Sequence, residues 1–193
     1  MSGPLEETPT STRGRLISAA ARLFQERGYH ATSVSDVLGA SGVPKGSLYH
    51  HFPAGKSDLA DAVAAAISDV MLSIIQAAYD PAEHAESGNA RLFEKFARLF
   101  ERHAHWRVCP IQSFLIDNVL SGGRAQTGAL LNSWIAATAK QLERLRGDPT
   151  QAEELWIALI GAWTLAGARD DATPLRTLGM RYGRGAIAVE QKS

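Results

Sequence analysis

Apolar residues recur at helical spacing along almost the whole chain, and no convincing period-two run appears, so the sequence predicts an all-α fold. Leu16, Ile17, Ala20, Leu23 and Phe24 open the pattern, and Gly28 follows as a helix stop. Ser33 and Asp36 are spaced like a capping box, with Asp in place of the usual Glu or Gln, and start a short helix carrying Val34, Val37 and Leu38. Ser41-Gly42 breaks that helix. Pro44 suits the first position of another short one, which carries Leu48 and Phe52. After Pro53-Ala54-Gly55 a long helix begins, striped by Leu59, Val63, Ile67, Val70 and Ile74 as far as Tyr79.

Pro81 ends that helix, and residues 83–88 read as a linker. Further stripes follow: Leu92, Phe96, Leu99 and Phe100, then Ile111, Phe114, Leu115 and Asn118. Gly122-Gly123 separates these from Leu130, Leu131, Trp134, Ile135, Thr138, Leu142 and Leu145. Gly147-Asp148-Pro149 is a turn, and two last helices are expected over 150–168 and from 173 to about 189. Three regions are expected: a mobile arm over 1–11, a domain of three helices over 12–56 and a larger helical domain over 57–193.

The overall charge gives no footprint of a nucleic-acid partner, since 20 basic residues balance 20 acidic ones. The local charge does. Arg13, Arg15, Arg22, Arg27, Lys45 and Lys56 face only Glu26 and Asp36 between residues 12 and 56, an excess of four positive charges. A hydrophobic share of 45% is ample for a packed core. No stretch reads as ~20 uncharged apolar residues, and the polar N-terminus lacks the apolar core of a signal peptide. The single cysteine, Cys109, suits a reducing compartment. These features point to a cytoplasmic protein with no membrane partner.

Three helices of about 16, 8 and 8 residues, with a Ser-Gly break between the short pair, have the layout of a helix-turn-helix. In that motif the last helix enters the major groove while its predecessor braces on the backbone. Its exposed residues are expected to be Lys45, Ser47, Tyr49 and His50, with His51 at the margin. Lysine can meet a phosphate or a guanine, and Ser, Tyr and His offer hydrogen-bond groups. Pro44 starts the helix, and Gly46 lets its backbone come close to a phosphate. Lys56, at the mouth of the long helix, can meet a phosphate together with free N–H groups. Thr32 or Ser33 can do the same at the second helix.

The strings Ala20-Ala21-Arg22-Leu23-Phe24, Gly28-Tyr29-His30-Ala31-Thr32-Ser33-Val34 and Gly42-Val43-Pro44-Lys45-Gly46-Ser47-Leu48-Tyr49-His50-His51-Phe52 resemble the TetR family signature. The resemblance covers about 50 residues in register. It implies a homodimer on a palindromic double-stranded DNA operator, with C-terminal helices that sense a small molecule. Phe52-Pro53-Ala54-Gly55-Lys56, Cys109-Pro110-Ile111, and Ala168-Arg169-Asp170 running on to Pro174-Leu175 look like LmrA/YxaF-type regulators.

All four tryptophans, Trp106, Trp134, Trp156 and Trp163, lie beyond residue 100. Aromatics with a few polar neighbours are what a small-molecule cavity needs. The candidate lining is Phe96, Phe100, Trp106, Gln112, Phe114, Asn118, Trp134 and Trp163, with Asn132 and Thr164 as further polar neighbours. For any single ring, ordinary core is the competing reading. Such a lining favours a neutral hydrophobic or aromatic effector, although Asp117 and Glu143 could also face it. Ala158, Gly161, Ala162 and Leu165 form a small-residue stripe suited to a helix contact across a two-fold axis, with packing inside one chain as the alternative.

Nothing argues for catalysis or for a cofactor. His103, His105 and Cys109 have loose metal-ligand spacing and no fourth partner, so no metal site is assigned. Cys109 reads as a structural thiol rather than a sensor. Gly183-Arg184-Gly185 lacks the strand a dinucleotide fingerprint requires. The rival from another class is an all-helical small-molecule enzyme or carrier on a helix-turn-helix scaffold, which salt-sensitive binding to duplex DNA would dispose of. A nearer rival is an activator of the same family.

Overall fold

The computed structural model describes residues 11–102, 104–117 and 119–184. Among them every regular element is helical: α1 Thr12–Arg27, α2 Val34–Ser41, α3 Lys45–His51, α4 Lys56–Tyr79, α5 Ala85–Arg102, a 3-10 turn Ala104–Arg107, α6 Pro110–Asp117, α7 Gly123–Arg144, α8 Gln151–Arg169 and α9 Thr173–Tyr182. They fall into two compact units, Met1–Ser73 with Val108–Ser133, and Ile74–Arg107 with Trp134–Ser193. Compactness thus groups α6 and the start of α7 with the N-terminal helices, whereas the sequence suggested a division after residue 56. The expected arm before Ser11, together with His103, Asn118 and the end of the last expected helix beyond Arg184, lies outside the described residues.

In the first unit, local chemistry sets the helix ends. The Ser11 hydroxyl accepts from the Gly14 amide at 3.0 Å and caps α1. Ser33 and Asp36 form the expected capping box, with Ser33 N donating to Asp36 at 2.8 Å and Asp36 N donating to Ser33 at 3.1 Å. Gly42 ends α2 in the left-handed region at φ 62°, a conformation that costs a glycine little. Pro44 stands one place outside its expected position, as the cap before α3 rather than its first residue. Leu16, Ala20, Val37, Val43, Leu48 and Phe52 are buried and form the core of the three helices.

By length and composition α4 could cross a membrane, which the sequence reading did not anticipate. Its apolar residues Leu59, Val63, Ile67, Val70, Met71 and Ile75 are nevertheless buried in the protein itself. Asp61 ties its first half to the start of α7, accepting from Ser121 N at 3.0 Å and Gln126 Nε2 at 3.3 Å.

The second unit is built on α5, whose buried Leu92, Phe93, Phe96, Leu99 and Phe100 carry a strongly one-sided apolar face. Helix α9 packs on it closely because Gly179 lies against Phe93 and Gly183 against Ala90. Phe93 also stacks on Tyr182 at 5.6 Å between ring centres. Arg176 holds Glu101 through Nη1 and Nη2, at 2.6 and 2.8 Å, and its Nε donates to Glu94 at 3.1 Å.

The expected linker over 83–88 is a correction, because α5 already begins at Ala85. Gly88 signals close packing rather than a break. Tyr79 lies fully buried against it, and a Cβ at Gly88 would overlap the Tyr79 ring. The Tyr79 hydroxyl donates to Asn89 Oδ1 at 2.6 Å, and its carbonyl accepts from Arg144 at 2.8 Å. Burial raises the phenol far above its usual range. An exposed helical Gly→Ala change gains about 1 kcal/mol. Here Gly88→Ala should instead destabilise the protein by about 1–3 kcal/mol through overpacking, which urea unfolding will measure.

Candidate nucleic-acid interface

Seven residues make α3, and their burial divides it into two faces. Leu48 is buried, while Lys45, Gly46, Tyr49 and His50 are exposed and lie at adjacent positions of one helical face. Ser47 and His51 are half-buried at its edges. A Cβ at Gly46 would meet nothing, so the backbone there is open to close approach. The rings of His50 and His51 meet edge to face at 5.1 Å. Beneath this face Val43, Leu48 and Phe52 anchor the helix, and the Arg13 guanidinium lies 5.4 Å from the Phe52 ring centre. Arg15 donates to the Ser41 carbonyl, tying α1 to the end of α2.

Of three further residues expected at this surface, Thr32 is placed differently. Thr32 is 1% exposed, its hydroxyl donating to the carbonyls of Leu23 and Gly28, so its side chain serves the core. Ser33 is exposed, with its hydroxyl engaged by Asp36. Lys56 is half-buried, with Nζ 4.0 Å from the centre of the Tyr29 ring. Burial holds its ammonium below the usual range, and Asp117 draws it partly back.

Asp117, the last residue of α6, organises this corner. Its carboxylate accepts from the Tyr29 amide at 2.7 Å, and its carbonyl lies 3.1 Å from His30 Nε2. The turn between α1 and α2 is therefore gripped from 88 residues away. Sequence reading placed Asp117 only as a residue that could face a cavity, because no local pattern pairs it with Tyr29. Removing the acceptor by Asp117→Ala should speed hydrogen exchange of the Tyr29 amide roughly tenfold, as read by NMR.

The candidate effector residues divide between the units. Phe96, Phe100, Trp106, Trp134 and Trp163 belong to the second and are all buried. There Phe96 lies 5.8 Å from Trp156 and 5.4 Å from Trp163, Trp106 is 6.4 Å from Trp163, and Trp134 is 5.4 Å from Trp156. Trp163 Nε1 donates to the Trp106 carbonyl at 2.7 Å and Trp156 Nε1 to Thr138 at 3.0 Å. Gln112 and Phe114 belong to the first unit, Asn118 is outside the described residues, and Glu143, Asn132 and Thr164 are exposed. Phe114 lines a cleft of about 10 Å³ among α1, α4 and α6. Cys109 is buried, which pushes its thiol up to about 11 and keeps it protonated at neutral pH.

On α8, Ile157 is 67% and Leu165 49% exposed, and a Cβ at Gly161 would meet nothing. With half-buried Ala158 they form one outward face. Ala162, expected on the same face, is instead buried in its own chain.

The family model for bacterial regulatory proteins of the tetR family matches residues 16–63, the span from α1 into α4. An uncharacterized HTH-type transcriptional regulator of Mycobacterium tuberculosis is 31% identical over 174 residues, covering 84% of this chain and 88% of that one. The uncharacterized HTH-type transcriptional regulator YxaF of Bacillus subtilis is 28% identical over 170 residues, covering 85% and 89%. Among solved structures, a TetR-family transcriptional regulator from Streptomyces coelicolor superposes with a TM-score of 0.74 at 22% identity, covering 92% of this chain and 89% of that one. With a DNA-facing helix-turn-helix and a full-length relative of this kind, the chain is a transcriptional regulator of the TetR family, not an enzyme.

Proposed function

We propose that the protein is a cytoplasmic repressor that binds a palindromic operator as a homodimer and is released by a small hydrophobic or aromatic effector. The observation that carries this reading is the exposed face of α3, where Lys45, Gly46, Tyr49 and His50 stand clear on a helix anchored by buried Leu48. In this reading Tyr49 and His50, with Ser47 and His51 at the margins, reach base edges. Lys45 and the open backbone at Gly46 meet phosphates. Pro44 and the backbone at Thr32 and Ser33 bound the contact surface, and Lys56 reaches phosphate by leaving the Tyr29 ring.

One helix of seven residues makes too few contacts for specific affinity, so two copies are needed, about 34–36 Å apart to meet successive major-groove faces. The outward face of α8, with Ile157, Ala158, Gly161 and Leu165, supports pairing through that helix. Phe96, Phe100, Trp106, Trp134 and Trp163 supply the aromatic chemistry for the effector. Gln112 and Phe114 are further candidate contacts. A ligand that prefers a conformation with the recognition helices displaced from operator spacing by roughly 10²-fold, near 3 kcal/mol, suffices for a switch.

Selecting short duplexes from genomic DNA at about 0.15 M salt should recover a palindrome with half-sites about one turn apart. Failure to recover any motif, even after unfolding and refolding away bound ligand, would overturn the reading. On the recovered operator, Lys45→Ala should flatten the slope of log affinity against log salt by about one. His50→Ala should change which bases are preferred; uniform weakening would place base reading elsewhere.

The dimer has its own test. Leu165→Asp puts a charge on a position already half exposed in the single chain, so helicity by circular dichroism should persist. Light scattering should report a monomer, and operator affinity should fall at least about 100-fold. A dimer of unchanged stability would move the interface off α8.

A further inference from the structure

The cleft among α1, α4 and α6 contains a polar group that the DNA-binding reading does not use. Gln25 is only 8% exposed, and neither its Nε2 nor its Oε1 has a hydrogen-bond partner among the described residues. The amide lines the cleft together with Phe24, Val63, Ile67 and Phe114, with Tyr29 and Asp117 at one edge. A buried amide with neither donor nor acceptor paired is a standing cost in an apolar wall. The rest of the lining is mostly hydrocarbon, with Tyr29, Ser113 and Asp117 as its other polar residues.

We propose that this cleft is a second effector site, taking a small neutral molecule that joins an apolar ring to a carboxamide or lactam. Gln25 offers a donor and an acceptor side by side, and an amide or lactam offers the matching pair in reverse. Two hydrogen bonds then close at once: Nε2–H donates to the ligand carbonyl, and the ligand N–H donates to Oε1. The apolar ring faces Phe24, Val63, Ile67 and Phe114. A carboxylate ligand is disfavoured by Asp117 on the same wall. That carboxylate already accepts from Tyr29 N through Oδ2.

The closed cleft, at about 10 Å³, holds about one water, so this ligand has to widen it. The element that can yield is α6, eight residues long, whose Leu115 and Ile116 are exposed, Ile116 at 81%. Outward movement of α6 takes Asp117 away from the Tyr29 amide and its carbonyl away from His30, and so loosens the turn between α1 and α2. The site lies in the unit that carries α3, so its occupant acts on the DNA-facing helices directly.

The test titrates the full chain with benzamide and 2-pyridone, with benzene as the apolar control, followed by ¹H–¹⁵N NMR. Saturable shifts of the Gln25 side-chain amide and the Tyr29 backbone amide are expected, with dissociation constants of about 1 mM. Gln25→Leu should weaken both amide probes at least about tenfold, leave benzene binding intact and melt no lower than the wild type. Gln25→Met repeats the comparison with an unbranched side chain should the leucine disturb α1. Shifts absent at about 10 mM, or amide binding unchanged in both variants, would overturn the site. No readout involves DNA, so failure here leaves the operator-binding reading standing.

Discussion

A helix of seven residues has no stability of its own in water, and everything on the DNA-facing surface depends on how α3 is held. What holds it is burial of Leu48, with Val43 and Phe52 also buried on either side of it in sequence. Three helices spanning some forty residues bury too little area to be stable alone. The first unit therefore includes the front of α4, all of α6 and the start of α7. The domain that binds DNA is defined by the area it must bury rather than by the residues that touch DNA.

That economy gives α6 an influence out of proportion to its length. Most of the unit is held by apolar contact, which is spread over many atoms and insensitive to small shifts. Asp117 is different: one carboxylate oxygen and one carbonyl grip two consecutive residues of a turn. Directional bonds of this kind are lost within about an ångström of movement. A displacement of α6 too small to unpack the core is therefore enough to free Tyr29 and His30. The Lys56 ammonium, resting on the Tyr29 ring, stands in the same corner.

The second unit follows another logic. Its rings are joined in a chain from Trp106 through Trp163, Phe96 and Trp156 to Trp134, with indole N–H groups paired to a carbonyl and a hydroxyl. Glycines at 88 and 179 let α5 meet Tyr79 and α9 at distances a Cβ would forbid. Large rings and bare glycines are complementary devices here, the first filling volume and the second admitting close backbones.

The sequence by itself determined the helical class, several helix ends and most of the exposed face of α3. Those features rest on interactions reaching only a few residues: the period of apolar positions, the Ser33–Asp36 box, and the left-handed Gly42. Only the tertiary structure decided the rest. It turned Thr32 inward, laid Lys56 on Tyr29, buried Ala162 within its own chain, made Gly88 a packing residue and left the Gln25 amide without a partner among the described residues. Each of these outcomes depends on a neighbour brought near by packing, as Asp117 is brought to Tyr29 across 88 residues. A one-dimensional pattern records what a residue prefers, while burial and hydrogen bonding are settled by what surrounds it.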